Sequence, residues 1–482
     1  MSDWRFILRF LGILLIAEGC AMLLCLVAVF HFHDSPIYEV LISAGVSLAV
    51  GIILLRANRR CTTISDHRKS YLMVTLMWLV LSLFGAIPFL SIGRGVSFSE
   101  ALFESTSGLT ATGATIFADV EALPSWILLW RSISQWFGGF GFILLVLAIA
   151  PTLGINKYSL YSAEVSGADN TGKTSIRMSV TVRKMLVTYL LLTVFFVGVL
   201  LASGLNLWDA TNLVLTNISS GGFSLYNNGI VSLTHVQQFI LAVAMLLSGV
   251  SFALIYDVLR FRFRRIKSGS DQLRFYVTVV VVASLFVSLL LHFADGYEWG
   301  KAIRCGAIQS ISAITTSGTL VENTSGWFMP INYLLVMLSL CGAMAGSTTG
   351  GLKSMRVLIL LRNLRTLVQN SMHPNAVNPV RLNGKPVQQS LINNVLVIFF
   401  VYLISFMVGV LGLMFCGINA TESIGAVAGC ISGYGPGLGA SGGFGCYAGF
   451  TSSAKVICSI LMILGRLECL SVLIVFSRKF WR

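Results

Sequence analysis

The chain has 482 residues, of which 56% are hydrophobic and only 11% are charged, and its formal net charge is +14 at pH 7. Soluble domains carry about 25% charged residues, so this composition excludes a soluble globular protein and indicates one that crosses a membrane many times. The mean hydropathy of +0.84 agrees with this interpretation. The basic balance is weak evidence for nucleic-acid binding, because charge in a membrane protein also follows its orientation.

Ten apolar runs approach or exceed the length of about 20 residues that a helix needs to cross a bilayer. They cover residues 6–29, 37–55, 71–92, 126–153, 185–203, 239–258, 275–291, 328–345, 391–416 and 456–476. The sequence therefore predicts an all-α polytopic membrane protein with about ten transmembrane helices.

Basic residues concentrate in alternate connections between these runs. Twenty-seven of the 33 Lys and Arg lie in residues 5–9, 56–69, 157–184, 260–274, 353–385 and 478–482. By the positive-inside rule these connections and both termini face the cytoplasm. The acids on the other side predict either a mouth that concentrates cations or ordinary surface charge. They are Asp34, Glu39, Glu100, Glu104, Asp119, Glu121, Asp209, Asp295, Glu298, Glu322 and Glu422.

One plan recurs four times after two leading helices: a long span, a short semi-apolar segment, a glycine motif, a polar external stretch and a second span. The short segments, 99–109, 208–217, 301–314 and 421–431, cannot cross a membrane, so they predict re-entrant pore helices. The predicted division is two extra N-terminal helices in 1–70 and repeats in 71–158, 159–265, 266–368 and 369–482. The third repeat contains a broken helix.

Each short segment ends in a glycine motif. The central glycines, at 113, 221, 318 and 435, are 108, 97 and 117 residues apart. Non-helical backbone at membrane depth is tolerated only where it is buried in protein or lines a water-filled path. Glycine lets carbonyl oxygens turn toward an ion, and rings of carbonyls can replace the hydration shell of potassium. Neighbouring hydroxyls would add ligands or hold the loops in place.

The sequence thus predicts one filter for a dehydrated or partly dehydrated cation, made by four loops around a common cavity. The predicted filter residues are Thr110, Ala111, Thr112, Gly113, Ile218, Ser219, Ser220, Gly221, Thr315, Thr316, Ser317, Gly318, Ser432, Gly433, Tyr434 and Gly435.

Further patterned stretches lie at 103–115, 345–353, 435–439 and 465–468. With the four motifs and the two extra helices, they make the chain resemble the Trk/Ktr/HKT superfamily of cation transporters, most closely its TrkH/TrkG-type potassium uptake proteins. The resemblance implies a pseudo-fourfold potassium pore within one subunit, a homodimer in the bacterial inner membrane, and a cytoplasmic TrkA-type nucleotide-binding regulator. Glycine in all four filters favours potassium, because plant-type relatives that admit sodium often carry serine at the first filter glycine.

The stretch 345–353 interrupts an apolar span of the third repeat with small residues. It does not fit a phosphate-binding loop, because Leu352 stands where a lysine must follow Gly351. A broken helix at this depth either lines the permeation path or allows close helix packing. The family resemblance implies an intramembrane gate, formed by Gly346, Ser347, Thr348, Thr349, Gly350 and Gly351.

Arg466 lies near the middle of the last span. A charge at that depth costs about 2.5 to 3.5 kcal/mol on insertion scales, so it usually faces a bundle interior or an aqueous path. Charge alone leaves two alternatives, a structural ion pair with another helix and a positive barrier below the filter, and the resemblance favours the barrier. Arg131, five residues inside its span, is predicted to be an interfacial residue whose charged end reaches water.

The sequence predicts neither an enzyme nor an organic cofactor. The histidines show no paired spacing, the cysteines form no CxxC pair, and no strand precedes the glycine-rich run 433–445. The expected ligands are transported K+ and membrane lipid, without nucleic acid. Two alternatives stay open: the potassium-translocating subunit of a P-type ATPase complex, and a polytopic membrane enzyme. The enzyme would need a cluster of deep ionisable residues, and only Arg466 is predicted to be deep.

Overall fold

A computed structural model describes residues 2–58, 68–93, 95–141, 175–261, 270–373 and 378–469, together with 472, 475 and 480. The described residues are almost entirely α-helical, which confirms the predicted all-α polytopic membrane fold. The described strands, β1 (Arg381–Leu382) and β2 (Lys385–Pro386), form one antiparallel hairpin. Its turn residues Asn383 and Gly384 have φ of 51° and 77°, as a type I′ turn requires.

The leading helices are α1 (Ser2–Leu24), α2 (Leu26–Phe32) and α3 (Ile37–Ala57). Small residues let α1 and α3 approach closely, as is common between helices in membranes. A Cβ atom on Gly51 would lie 2.9 Å from the carbonyl oxygen of Gly12. This pair of helices packs beside the first repeat, mainly on its first helix.

Each of the four following units contains a first helix, a short pore helix and a second helix that is interrupted or short. The first unit comprises α4 (Arg68–Gly85), α5 (Ile87–Ser91), α6 (Phe98–Leu109) and α7 (Ser125–Phe140). The second comprises α8 (Ser175–Ala202), α9 (Leu207–Ile218), α10 (His235–Ser248) and α11 (Phe252–Leu259).

The third unit comprises α12 (Ser270–Phe293), α13 (Trp299–Ile314), α14 (Met329–Cys341) and α15 (Ser354–Met372). The fourth comprises α16 (Gln389–Phe415), α17 (Ala420–Ser432) and α18 (Ser452–Arg466). Two 3₁₀ turns, Thr324–Gly326 and Gly439–Ser441, lie in the connections that follow the last two pore helices.

The first helix of each unit forms one span, in the first unit from α4 and α5 together, whereas the second helices bend or end early. In the described part of the chain, six spans are long and apolar enough to cross a membrane, or seven if α10 and α11 count as one span bent by 106°. Helix α14 stops at Cys341, and α7 and α18 stop at Phe140 and Arg466. Most of the remainder of the predicted spans 126–153 and 456–476 lies outside the described residues.

The pore helices α6, α9, α13 and α17 follow the predicted short segments closely. Three of them begin with a side chain that accepts the backbone N–H of the third helical residue, which is acidic each time. These N-caps are Ser97, Asn206 and Asn419. The C-terminal parts of all four helices are buried, so their carbonyl ends lie within the bundle.

Candidate selectivity filter

The backbone takes the same path directly after each of the four pore helices. A residue with φ between 52° and 74° comes first, and a glycine with φ between 69° and 86° follows two positions later. The first residues are Ala111, Ser220, Thr316 and Gly433, and the glycines are Gly113, Gly222, Gly318 and Gly435. The residue between them donates its N–H to the carbonyl five positions earlier, at 2.9 Å in every loop. The loops are therefore equivalent in detail.

This equivalence shifts the register predicted for the second loop by one residue. Gly222, and not Gly221, stands in the place of Gly113, while Ile218 is the last residue of α9. The sequence pattern alone cannot show which of two adjacent glycines occupies the ring position. Gly221 has a different reason to be glycine, because a Cβ atom there would overlap the side chain of Gln135. The other three loops keep their predicted register.

The four loops close into one ring. A Cβ atom on Gly113 would overlap the carbonyl oxygen of Gly221 in the next loop. The same relation continues around the ring, from Gly222 to Ser317, from Gly318 to Tyr434, and from Gly435 back to Thr112. The four carbonyls belong to equivalent residues, and only glycine allows the next loop to approach so closely.

The first hydroxyl residue of each loop ends its pore helix. Its side chain donates to a carbonyl three or four residues earlier, which ties the start of the loop to the last turn of the helix. The pairs are Thr110 to Thr106 at 2.6 Å, Ser219 to Thr216 at 2.9 Å, Thr315 to Ile311 at 2.7 Å and Ser432 to Ala428 at 2.6 Å. These four hydroxyls hold the loops in place, one of the two roles predicted for them.

A cavity opens on the side where the chain leaves the ring, which we call the outer side. All four ring glycines line it, together with side chains such as Phe223 and Leu320. None of the acids predicted to form a mouth lines this cavity in the described part of the chain. Several hold outer loops instead; Asp34, for example, accepts the backbone N–H of Ser125 at 2.7 Å.

Arg131 is not interfacial, contrary to the prediction. Its side chain is 2% exposed, and its Nε lies 2.9 Å from Oε1 of Glu104, which is fully buried. Glu104 therefore forms a buried ion pair and is not part of an external mouth. A signal was present in the sequence: Glu104 stands well beyond the first turn of a short apolar helix, where capping no longer explains an acid.

Glu18 is a deep carboxyl that the sequence analysis missed. It lies within α1, is 1% exposed, and neither of its oxygens has a hydrogen-bond partner among the described residues. A Cβ atom on Gly85 would lie 2.9 Å from Oε1 of Glu18 and 2.6 Å from Oγ of Ser105. Arg466 is thus not the only deep ionisable residue. The signal was an acid in the middle of a membrane span.

The predicted gate, residues 346–351, belongs to the non-helical link between α14 and α15 and lies on the inner side of the ring. Oγ1 of Thr348 donates to the carbonyl of Ile218 at 3.1 Å, where α9 ends. The N–H of Gly350 donates to Oγ1 of Thr316 in the third filter loop, at 2.8 Å. The link is therefore bound to the end of the second pore helix and to the third filter loop.

Three glycines make this link possible. Gly346 and Gly351 have φ of 81° and 72°, a region that side chains rarely adopt. Gly350 is needed for space, because a Cβ atom there would overlap the carbonyl oxygen of Ser432. The hydroxyls of Ser347 and Thr349 lie 2.7 Å apart, which ties the middle of the link together.

Arg466 connects this link to the first unit. Its Nη1 donates to the carbonyl of Thr348 at 2.8 Å, and its Nη2 donates to the carbonyls of Gly138 and Gly139, both at 2.7 Å. Gly138 and Gly139 lie in the last turn of α7, where carbonyls carry partial negative charge. The deep charge is thus stabilised by backbone carbonyls. Two residues further on, Glu468 pairs with Arg356 of α15 at 2.5 Å.

Four equivalent loops that close into a ring, with a cavity on its outer side, are the arrangement of a membrane transport protein. A family model described as TrkH, cation transport protein, matches residues 39–482. The chain belongs to this TrkH family of cation transport proteins, which confirms the predicted family and means that the protein is not an enzyme.

Curated relatives match the chain over almost its whole length. The Trk system potassium uptake protein TrkH of Escherichia coli K12 is 31% identical over 485 residues, covering 99% of each chain. That of Halomonas elongata is 30% identical over 480 residues, also covering 99% of each. The crystal structure of the potassium transporter TrkH from Vibrio parahaemolyticus superposes with a TM-score of 0.89 at 29% identity and 100% coverage of both chains.

Proposed function

We propose that this protein takes up potassium across the bacterial cytoplasmic membrane through the ring of four loops. The observation that carries the proposal is the closure of the ring, in which equivalent backbone carbonyls from four loops face one another's glycines. Such carbonyls can replace the hydration shell of a potassium ion. The predicted repeats 71–158, 159–265, 266–368 and 369–482 would each supply one quarter, with Gly222 as the glycine of the second.

The link at 346–351 would gate this pathway. It lies on the inner side of the ring and contacts the end of α9 through Thr348 and the third loop through Gly350. An ion leaving the ring toward the cytoplasm must pass it. Gly346 and Gly351 supply backbone freedom at either end, so the link would move as a unit without disturbing α14 or α15.

Arg466 would act as a positive barrier to cations and would hold the gate in its closed position. Its guanidinium holds the Thr348 carbonyl of the link while it is anchored on the end of α7. A cation near this point meets a fixed positive charge in a medium of low dielectric constant, where repulsion is strong. Releasing the link would move Thr348 away from Arg466 and widen the path.

Regulation would come from a cytoplasmic TrkA-type nucleotide-binding protein acting on a homodimer of this chain. The relatives described above are named as members of a Trk system, which implies further components. The basic cytoplasmic connections, such as 353–385, offer a surface for an acidic partner. The same relatives are uptake proteins and not pump subunits, which favours this proposal over the P-type ATPase alternative.

The proposal is tested by expressing the chain in cells that lack their own potassium uptake systems, with and without a TrkA-type partner. We expect growth at low potassium and uptake of rubidium, both increased by the partner. Gly435→Val should abolish uptake, because its side chain would overlap the Thr112 carbonyl. Gly449→Val is the matched control, since Gly449 is exposed and has open space around its Cα in the same repeat.

Absence of rubidium uptake from correctly inserted protein, with the partner present, would contradict the proposal. So would uptake that requires a co-expressed P-type ATPase subunit. Equal uptake by Gly435→Val and Gly449→Val would remove the ring from the pathway.

A further inference from the structure

A buried ion pair joins the first two loops of the ring just outside their glycines. Glu104 of α6 and Arg131 of α7 are 0% and 2% exposed, with 2.9 Å between Oε1 and Nε. Burying two charges is costly, and apolar residues of similar size often stabilise a protein as well or better. Stability alone therefore does not explain this buried pair, whereas the geometry that it imposes on its surroundings can.

Glu104 holds the chain that leaves the first loop. Its Oε2 accepts the backbone N–H of Ile116 at 2.9 Å, and its Oε1 accepts the Thr115 hydroxyl at 3.0 Å. In the third loop, Gln309 occupies the equivalent position and accepts the N–H of Val321 at 3.4 Å. A neutral amide can thus brace an outgoing segment, so bracing alone does not require a carboxylate.

Arg131 reaches the second loop. Its Nη1 donates to the carbonyl of Ser224 at 3.1 Å, and its guanidinium lies 4.1 Å from the centre of the Phe223 ring. Both residues directly follow Gly222. One turn further along α7, Oε1 of Gln135 accepts the N–H of Phe223 at 3.0 Å. Helix α7 of the first repeat therefore positions the outgoing segment of the second loop.

Together these contacts place the pair across the joint where Gly113 lies against the Gly221 carbonyl. Its hydrogen bonds fix Thr115 and Ile116 on one side and Ser224 on the other, where the Arg131 guanidinium also lies over the Phe223 ring. Arg131 also lines the outer cavity, where an unneutralised positive charge would repel cations. Glu104 therefore has two effects there, since it fixes the guanidinium in place and cancels its charge.

We propose that the Glu104–Arg131 pair is a positioning element that determines ion selectivity by fixing the spacing of the first and second filter loops. This inference rests on the proposed function of the ring. Neither residue needs to touch the ion. The pair acts through the segments that follow Gly113 and Gly222. The planar guanidinium of Arg131 makes several hydrogen bonds at once, which a lysine ammonium in the same place cannot do.

The test compares competition of sodium with rubidium uptake, in proteoliposomes, for the wild type and three variants. Arg131→Lys keeps the charge but loses the planar contacts, and it should lower the preference for rubidium over sodium about tenfold. Glu104→Gln should lower the preference similarly and also slow uptake, because the Arg131 charge is no longer neutralised. Thr115→Val, a mild change, should give a smaller loss of preference.

The matched control is Glu322→Gln, which breaks the Lys301–Glu322 pair, at 42% and 25% exposure, on the outer side of the third repeat. It should leave the preference unchanged. Folding is checked by elution as a single species and by thermal melting. The inference would be overturned if folded Thr115→Val and one of the two charge variants both kept the wild-type preference for rubidium over sodium. It would also be overturned if the control lost as much of this preference as Arg131→Lys. No rubidium uptake by the wild type would instead overturn the proposed function itself.

Discussion

The ring and the link beneath it are both non-helical backbone at membrane depth, yet they are held in different ways. Each ring loop is fixed within its own repeat by the same backbone hydrogen bond, which spans five residues and measures 2.9 Å in all four places. The link, residues 342–353, is longer than the three-residue break between α10 and α11 that interrupts the second helix of the second repeat. It is held largely by contacts with distant residues: Thr348 binds the end of α9, Gly350 binds the third filter loop, and Arg466 of the fourth repeat binds Thr348.

This difference indicates that the ring and the link have two separate tasks. The ring, in which each of the four loops is fixed by its own local hydrogen bond, is suited to hold ion ligands at a fixed spacing. A structure held by a few long-range contacts can be released by breaking them, and segments that move are drawn from such regions. We therefore expect changes in the ring to alter which ion passes, and changes in the link to alter how fast it passes.

The largest effect is expected for Gly113→Ser. The new side chain would overlap the Gly221 carbonyl. In addition, the backbone at this position has φ of 82°, in the left-handed region that costs a residue with a side chain roughly 1–2 kcal/mol. We expect the preference for potassium over sodium to fall about tenfold or more. Sodium competition in a rubidium uptake assay measures it.

Two comparisons sharpen that prediction. Gly222→Ser should behave like Gly113→Ser if the register of the second loop is as described. Gly326→Ser, in an exposed outer turn with open space around it, should have no effect. Unchanged competition in Gly113→Ser would break the assignment of selectivity to the ring.

A smaller effect, on rate alone, is expected for Arg466→Gln. The change removes the hydrogen bonds to Thr348, Gly138 and Gly139 together with the positive charge. Rubidium flux without a partner protein should rise about threefold to tenfold, with the same preference over sodium. Flux into proteoliposomes measures both quantities.

Arg365→Gln, an exposed change on α15, serves as the control. Arg466→Lys, which keeps the charge but not the fork of donors, should fall between wild type and Arg466→Gln. If selectivity drops in Arg466→Gln as far as in Gly113→Ser, the separation of the two tasks is wrong.

The smallest effect is expected where the first pore helix begins, and it concerns stability. Burial would raise the pKa of Glu100, but the hydrogen bonds from Lys455 and Ser97 lower this pKa below its usual range overall. A lowered pKa stabilises the folded state above the unfolded pKa of about 4.3, and the stabilisation disappears as pH falls through the folded pKa. Glu100 is 26% exposed, so the gain is at most about 1 kcal/mol.

Glu100→Gln tests this, because glutamine preserves the capping box formed with Ser97. At pH 7 it should lower the melting temperature by about 2 °C, and the difference should shrink as pH falls below about 4.3, through the folded pKa. Ion preference and flux should stay the same. In a Lys455→Met background most of the difference at pH 7 should be lost; a full effect there would show that the ion pair is not its cause.

Much of this architecture follows from the sequence because it rests on local patterns. Long apolar runs predict the first helices, and short capped segments followed by glycines predict the pore helices and three of four loop registers. Contacts between distant residues leave no such pattern. Arg131 has an interfacial position along the chain, and only folding brings it to Glu104, 27 residues away. The choice between Gly221 and Gly222 likewise depends on Gln135, from another repeat.

A structure of the protein in rubidium, with anomalous scattering used to locate the ion, tests directly whether the ring binds the transported ion. We expect rubidium on the axis of the ring, among the carbonyls of Thr112, Gly221, Ser317 and Tyr434, and its loss from that position in Gly113→Ser. Rubidium bound elsewhere in the bundle, with the centre of the ring empty in the transporting wild type, would contradict it.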